Sequence, residues 1–226
     1  AKTLQEAYRR IEQGVDSYAL TLRLLQPEAG YQWYSIRFRS IRDETGRTIK
    51  LIGQLTNIHH QKLEEDRLRH EASTDLLTQI YNKITTEHLV SLELQEGRNH
   101  ALIVVDLDKF KYANDTFGHL FGDSVIKAVA ATLRATFRAT DIVGRTGGDE
   151  FVVLAKDISL SDGLETLKAK CRRLSVELAH VSLGQDYVIS ASIGISLFPR
   201  DGKTYAELFA KADAALYQIK NTGRGH

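Results

Sequence analysis

The hydrophobic pattern changes period several times along the chain. Residues 3–13, TLQEAYRRIEQ, place Leu4, Ala7, Tyr8 and Ile11 at i, i+3, i+4 and i+7, the spacing of a short amphipathic helix. The period then drops to two. YALTLRLL sets Tyr18, Leu20, Leu22 and Leu24 on one face, YQWYSIRFRSI continues through Tyr34, Ile36 and Phe38, and IKLIGQLTNI reads as a third strand. QPEAG and RDETGRT are turn sequences between them. The first 60 residues therefore predict a three-stranded antiparallel meander, thin for an independent core.

From His59 to Ser73 the chain is charged and free of Gly and Pro, which predicts a connecting helix. Leu63 and Leu68 are five apart, a poor heptad seam, so a solvated helix and a dimerising one both remain open. A larger unit begins at Thr74. STDLLTQIYNKITTEHLVSLELQ reads as a helix-rich opening with Ser73 or Thr74 as N-cap. HALIVVDLD is a continuous apolar run ending in acids, as expected of a strand buried on both faces. DSVIKAVAATLRATF carries Val125, Ile126, Val129, Ala130 and Leu133 on one helical face. A helix over 159–183 follows, with a core stripe from Leu160 and Leu164 through Cys171 to Val181; then come a strand, YVISASIGISLFP, and a last helix closed by Gly223. Strands and helices alternating around one sheet predict two layers.

Candidate chemistry gathers at two places. GRTGGDEFVVL, residues 144–154, sets two glycines and two adjacent carboxylates between apolar runs, the pattern of a hairpin with a negative tip. Asp106 and Asp108 end the ALIVV run, where ligands of α/β sheets tend to bind. If the hairpin pairs beside that strand, Asp149 and Glu150 come near Asp106. Converging carboxylates are costly unless a hard cation neutralises them. Oxygen donors without Cys or His nearby point to Mg²⁺ or Mn²⁺ rather than zinc. Two such ions bind a triphosphate, activate an attacking hydroxyl and stabilise leaving pyrophosphate. Gly147 and Gly148 then let a bulky phosphorylated substrate approach the backbone. On spacing alone, a solvated turn with ordinary surface acids is an equal reading.

Composition narrows the classes. Thirty Lys and Arg stand against 29 Asp and Glu, so the net charge of +1 shows no nucleic-acid or membrane surface. No apolar run approaches the roughly 20 residues of a membrane span, and no signal peptide is visible. A single cysteine, Cys171, excludes an internal disulfide and fits a reducing cytoplasm. Without any methionine, a chain opening AKTL reads as a piece of a longer protein, which leaves membrane attachment of the whole protein open.

Two stretches resemble known families. YQWYSIRFRSIRDETGRTIKLIGQLTNIHHQK, residues 31–62, resembles the C-terminal half of a PAS sensor domain, with its Trp strand, D-x-x-G turn and I-G-x-x-x-D/N-I exit. A hairpin scaffold without a ligand is the competing reading. Residues 74–226 resemble the diguanylate cyclase, or GGDEF, domain. The motif stands as Gly147-Gly148-Asp149-Glu150-Phe151, preceded by DLDKFKYANDTFGHLFGD (106–123) and followed by ASIGISLFPRDG and KADAALYQIKNTGR. The fold class implied is α/β (α+β): a palm-like mixed sheet with flanking helices, beside a small antiparallel meander. The implied division is a half-PAS unit over 1–60, a linking helix over 61–73 and a cyclase domain over 74–226.

The activity implied is condensation of two GTP into cyclic di-GMP and two pyrophosphates, with two Mg²⁺ (or Mn²⁺) per site. It needs a homodimer, because each domain carries one GTP; a non-catalytic GTP or cyclic di-GMP receptor is the alternative. Position by position, Asp106 and Asp149 resemble metal ligands, assisted by the Leu107 carbonyl. Glu150 resembles either a further ligand or the acceptor of the 3′-hydroxyl proton. Asn114 and Asp123 resemble the guanine-reading pair, with His119 lining the same pocket. An Asn-Asp turn, with Asp123 capping the next helix, is the local alternative. Phe110 and Lys111 would border the triphosphate, and Lys220 and Arg224 resemble phosphate contacts, or merely favourable charge at a helix C-terminus. Arg138 and Asp141 match the R-x-x-D site that binds product and inhibits; a helix-end arginine with a turn aspartate is the simpler reading. DLLTQIYNK departs from the family pattern at Gln79, where glycine is usual, and at Lys83, where arginine is.

Overall fold

The computed structural model describes residues 5, 9–10, 15, 17–159 and 163–222. Leu4, Ala7, Tyr8 and Ile11, the apolar face of the helix expected over 3–13, lie outside them, as do Leu160 of the apolar stripe, Gly223 and Arg224. The chain divides into two compact units, Ala1–His70 and Glu71–His226.

In the first unit, β1 (Ser17–Gln26), β2 (Gly30–Arg42) and β3 (Thr48–Asn57) form an antiparallel sheet in that order. The alternating residues pair as the period of two requires, Tyr18 with Phe38, Leu20 with Ile36 and Leu22 with Tyr34. The Asp43 carboxylate holds the second turn, accepting the N–H groups of Thr45 and Arg47 at 3.0 and 2.9 Å. β3 is exposed along its whole length. The helix α1 (His59–Ser73) follows; the Asn57 side chain accepts the His59 N–H at 2.9 Å, and Lys62–Glu65 and Glu64–Arg67 pair one turn apart.

The second unit contains α2 (Lys83–Leu94), β4 (His100–Leu107), α3 (Phe110–Phe117), α4 (His119–Thr136), β5 (Ile142–Arg145), β6 (Glu150–Ala155), α5 (Gly163–Ala179), β7 (Ala191–Phe198) and α6 (Tyr205–Thr222). Its sheet runs β5-β6-β4-β7 with antiparallel neighbours, and one parallel bridge joins Tyr81 to Gly144. The mixed α+β class expected from the sequence is the class observed.

Helices cover both faces of the sheet, so there are three layers rather than the expected two. Ile103, Val105 and Val153 pack with Val125, Val129 and Leu133 of α4 and Leu174 and Leu178 of α5. Leu102, Val104, Val152 and Leu154 pack with Val90 of α2 and Leu208, Ala212 and Leu216 of α6. The reason lies in β4: its interior residues are apolar without alternation, and each side needs a cover.

The opening segment also differs from expectation. Ser73 ends α1, and residues 74–82 form a turn pinned by the Thr74–Tyr81 bridge, so neither Ser73 nor Thr74 caps a helix. The next helix starts at Lys83 and is capped by Asn82, whose side chain accepts the Thr85 N–H at 3.0 Å. The same side chain donates to the Ala72 carbonyl at 2.8 Å, knitting the end of α1 to the start of α2.

Gly194 of β7 sits opposite Val104, and a Cβ there would lie 2.0 Å from the Ala212 carbonyl oxygen of α6. Backbone cannot yield as a flexible side chain can. Gly194→Ala should therefore lower unfolding free energy by about 1–3 kcal/mol in denaturant titration. Unchanged stability would show that α6 does not rest on this strand.

Candidate active site

The apolar β4 ends at a rim where its first acid, Asp106, stands in register opposite Glu150, the first residue of β6. The Leu107 N–H donates to the Asp149 carbonyl at 3.2 Å, so the acidic tip is fastened to the strand end. The turn itself closes through the N–H groups of Thr146 and Gly147, which donate to the Glu150 carbonyl at 3.0 and 3.3 Å. Neither Gly147 nor Gly148 has a left-handed φ. What Gly148 provides is room: among the described residues nothing lies within 4 Å of the place a Cβ would occupy.

Burial, and then the nearby Asp106 carboxylate, push the Asp149 pKa up. Glu150 is raised first by burial and further by Asp106, Asp213 and Asp149, while a hydrogen bond from the Thr146 hydroxyl at 3.2 Å opposes the shift. Lys220 of α6 supplies positive charge, its Nζ lying 2.6 Å from Asp106 Oδ1. Among the described residues no three His, Cys, Asp or Glu side chains already stand in metal-binding geometry. The donors nevertheless fit a hard divalent cation: oxygen only and partly buried, with Asp149 and Glu150 raised in pKa by burial and then by neighbouring carboxylates. Asp108 is not one of them. It is 4% exposed, accepts the Ser192 hydroxyl at 2.8 Å, and is part of the packing beneath the rim.

A cationic clamp holds the tip from behind. Arg145 Nη2 donates to the Gly148 carbonyl at 2.7 Å and Nε to the Gly147 carbonyl at 3.1 Å. Its Nη1 reaches both Asp75 oxygens at 3.1 and 3.2 Å. Asp75 in turn accepts the N–H and hydroxyl of Thr78 at 2.9 and 2.6 Å. Burial disfavours the Asp75 carboxylate, yet these hydrogen bonds from Thr78 and Arg145 hold its pKa below the usual value.

The other sequence candidates surround the rim or lie apart from it. Asn114 is half-buried inside α3, and its Oδ1 would be 1.9 Å from a Cβ on Gly122, so only a glycine there leaves space for the amide. His119 and Asp123 are exposed in the first turns of α4. Asn114 is thus helical rather than in a turn, and Asp123 lies within a helix rather than capping one, which removes the local alternative for both. Phe110 and Lys111 begin α3 behind Lys109, which is left-handed at φ 55°, so their N–H groups belong to the unsatisfied first turn. At the opposite end of β6, Asp141 accepts the N–H groups of Arg138 and Lys156 at 2.8 and 3.0 Å. A cavity of about 230 Å³ opens there, lined by Arg138, Asp141, Lys156 and Lys170 among others.

Residues 72–226 match the family described as diguanylate cyclase, GGDEF domain. The chain belongs to the GGDEF family. It is 35% identical over 168 residues to the diguanylate cyclase TpbB of Pseudomonas aeruginosa, covering 72% of this chain and 38% of that one. It is also 33% identical over 202 residues to the cyclic di-GMP phosphodiesterase PdeR of Escherichia coli, covering 87% of this chain and 30% of that one. The chain thus spans less than two fifths of the length of either of these relatives. Among solved structures, the coiled coil and GGDEF domain of DgcB from Caulobacter crescentus, in complex with c-di-GMP, superposes with TM-score 0.67 and 26% identity, covering 74% of this chain and 90% of that one.

Within this GGDEF domain, sequence reasoning missed Arg145, Asp75 and Thr78. The signal was present as Asp75-x-x-Thr78, a spacing suited to a carboxylate capping a turn, but its partner lies 70 residues downstream. Gln79, in place of the usual glycine, adopts φ 58°, so the departure leaves a left-handed residue in the turn rather than a different turn.

Because the pKa of Asp149 is raised, the folded chain keeps a proton that the unfolded chain releases. Its effect on stability is absent well below the ordinary carboxylate value near 3.8, grows more unfavourable as pH rises from there to the raised folded value, and is constant above it. In EDTA, Asp149→Asn should melt higher than the parent chain at pH 7, with the difference shrinking toward pH 4. Saturating Mg²⁺ should close most of the gap. A constant difference across that range would show that Asp149 carries no electrostatic strain.

Proposed function

We propose that residues 74–226 form a catalytic domain that joins two GTP into cyclic di-GMP with release of two pyrophosphates. The observation that carries this reading is the strand register setting Asp106 against Glu150, with Asp149 tied beside them by the Leu107 N–H. Membership of a family described as diguanylate cyclase and 35% identity to TpbB support it.

Asp106, Asp149 and Glu150, with the Leu107 carbonyl, would hold Mg²⁺ or Mn²⁺. When bound, such ions supply Lewis acidity at the α-phosphate and neutralise the leaving pyrophosphate. The Asn114 amide and Asp123 carboxylate complement the acceptor and donor edge of guanine, and His119 lines that pocket. Orphan N–H groups at Phe110 and Lys111 face phosphate charge, joined by Lys220 and Arg224. Glu150 would serve either as a further metal ligand or as the acceptor of the 3′-hydroxyl proton. The 3′-oxygen then forms its bond to the α-phosphorus of the second GTP as the bond to the β-phosphate oxygen breaks. A second such exchange closes the ring. Each domain holds one nucleotide, so two domains must face one another as a homodimer.

Residues 1–60 as a half-PAS unit and 61–73 as the linking helix would govern that meeting. The antiparallel meander β1-β2-β3 is the observation that supports the half-PAS reading. Arg138 and Asp141 would bind product and inhibit. Among the described residues no helix is long and apolar enough to cross a membrane. A receptor that binds GTP or cyclic di-GMP without turnover is the second reading. Similarity to PdeR, a phosphodiesterase by name, keeps it in view.

Incubation with GTP and Mg²⁺, followed by assay of pyrophosphate and cyclic di-GMP, separates the two. Asp149→Ala should fold normally yet lose at least about a thousandfold in product formation. A parent chain that binds GTP but yields no pyrophosphate would establish the receptor reading. Gly122→Ala, which intrudes on Asn114, should raise KM for GTP about tenfold or more with a smaller change in kcat. A change confined to kcat would remove Asn114 from substrate binding. Arg138→Ala should keep turnover and lose inhibition by added cyclic di-GMP; retained inhibition would place that site elsewhere.

A further inference from the structure

The buried stripe of α6 steps in fours through Leu208, Ala212 and Leu216, which pack on the sheet. The next step of that spacing is Lys220, in the last turn of the helix. Its neighbours therefore turn it toward the sheet rather than toward solvent. Gly194 of β7 sets how closely the helix approaches, since a Cβ there would also lie 3.0 Å from Leu216 Cβ. Lys220 so arrives at the rim where β4 ends.

Its charge goes to one acid. Nζ lies 2.6 Å from Asp106 Oδ1, with the two side chains 27% and 24% exposed. Among the described residues neither side chain forms a second ion pair. The same ammonium opposes the rise in the Asp149 pKa that burial and Asp106 cause. Arg145, the other cation at the tip, bonds to the glycine carbonyls and to Asp75 instead. Lys220 is thus the cation that meets a donor suited to a divalent ion. A divalent ion at Asp106 would repel an ammonium in contact with that carboxylate. The pair is partly exposed, and its ammonium stands on a flexible four-carbon stem, so the two groups separate more readily than a forked guanidinium would allow.

We propose that Lys220 is an exchangeable counter-ion for Asp106, which holds the carboxylate against bare divalent ions and yields it when the phosphates of a nucleotide take the ammonium, so that metal and nucleotide bind cooperatively. This rests on the metal reading of the rim given above. A bare ion binds only the fraction of chains in which Asp106 is free, and its apparent affinity falls by that fraction. By linkage, whatever the nucleotide adds to metal affinity the metal adds to nucleotide affinity. A lysine that merely touched phosphate would change nucleotide affinity and leave the affinity for bare metal as it was.

Mn²⁺ binding to the 226-residue protein, read from the EPR signal of the free ion, tests this without turnover. In the absence of nucleotide, Lys220→Met should bind Mn²⁺ at least about threefold more tightly than the parent chain. Lys220→Arg, which keeps the charge, should bind it as weakly as the parent, and Asp106→Asn should weaken binding in each background. The nucleotide used is 3′-deoxy-GTP, which lacks the attacking hydroxyl. The gain in its affinity on adding Mn²⁺, measured by calorimetry, should shrink in Lys220→Met by a similar factor. Saturating Mg²⁺ and 3′-deoxy-GTP should also change the acylation of Lys220 relative to that of Lys168, which pairs with Glu165 on α5. Equal or weaker binding of bare Mn²⁺ by Lys220→Met would overturn the proposal and leave the metal reading intact. A parent chain that binds no Mn²⁺ even beside 3′-deoxy-GTP would overturn the metal reading, and this inference with it.

Discussion

A strand buried on both faces has nowhere but its ends for polar chemistry. β4 is such a strand, and everything else in the second unit follows from covering it. Helices must lie on each face, which fixes three layers; antiparallel partners must flank it, which puts the tip of the β5–β6 turn at the same rim as Asp106. Two carboxylates then stand directly across a strand pair, and a third is fastened beside them. The repulsion among them is a cost the fold accepts at one rim, and positive charge must answer it there.

Two cations of the chain do so differently. Arg145 binds the turn through the carbonyls of both glycines and is itself held by Asp75, so its role is geometric: it fixes where the tip can be. Lys220 meets Asp106 directly from α6, on a flexible stem with a point charge. A forked guanidinium suits permanent scaffolding, whereas an ammonium suits a contact that can be exchanged. An incoming divalent ion would therefore compete with Lys220 at Asp106 while leaving the Arg145 clamp in place.

Periodicity made the elements legible, because burial is a local property of the pattern. The continuous apolar run from Ala101 to Val105, the face of α4 and the two strands around the glycines could all be read from the residues alone. Other features could not. The layer count failed because apolar residues on a strand do not say what covers them. The opening segment failed because Ser73 and Thr74 are good caps by type, whereas Asn82 won by also tying down the end of α1. In the site, the acids were legible because like charges close in sequence demand an explanation. Arg145 and Asp75 are 70 residues apart, and only the fold joins them.

That clamp gives the segment after α1 a mechanical meaning. Asn82 bonds to Ala72 through its side chain and to Ser73 through its backbone N–H. Two residues beyond Ser73, Asp75 grips Arg145, and Arg145 grips the carbonyl of Gly148. The path from the last turn of α1 to the residue preceding Asp149 is therefore a chain of hydrogen bonds at ordinary lengths, without a flexible loop between. Gln79, left-handed at φ 58°, sits in the turn that this path crosses, and its own carbonyl accepts from Arg134 of α4 at 3.4 Å. This path links a displacement of the helix end to the position of the tip. Transmitted along it, such a displacement would move the tip relative to Asp106.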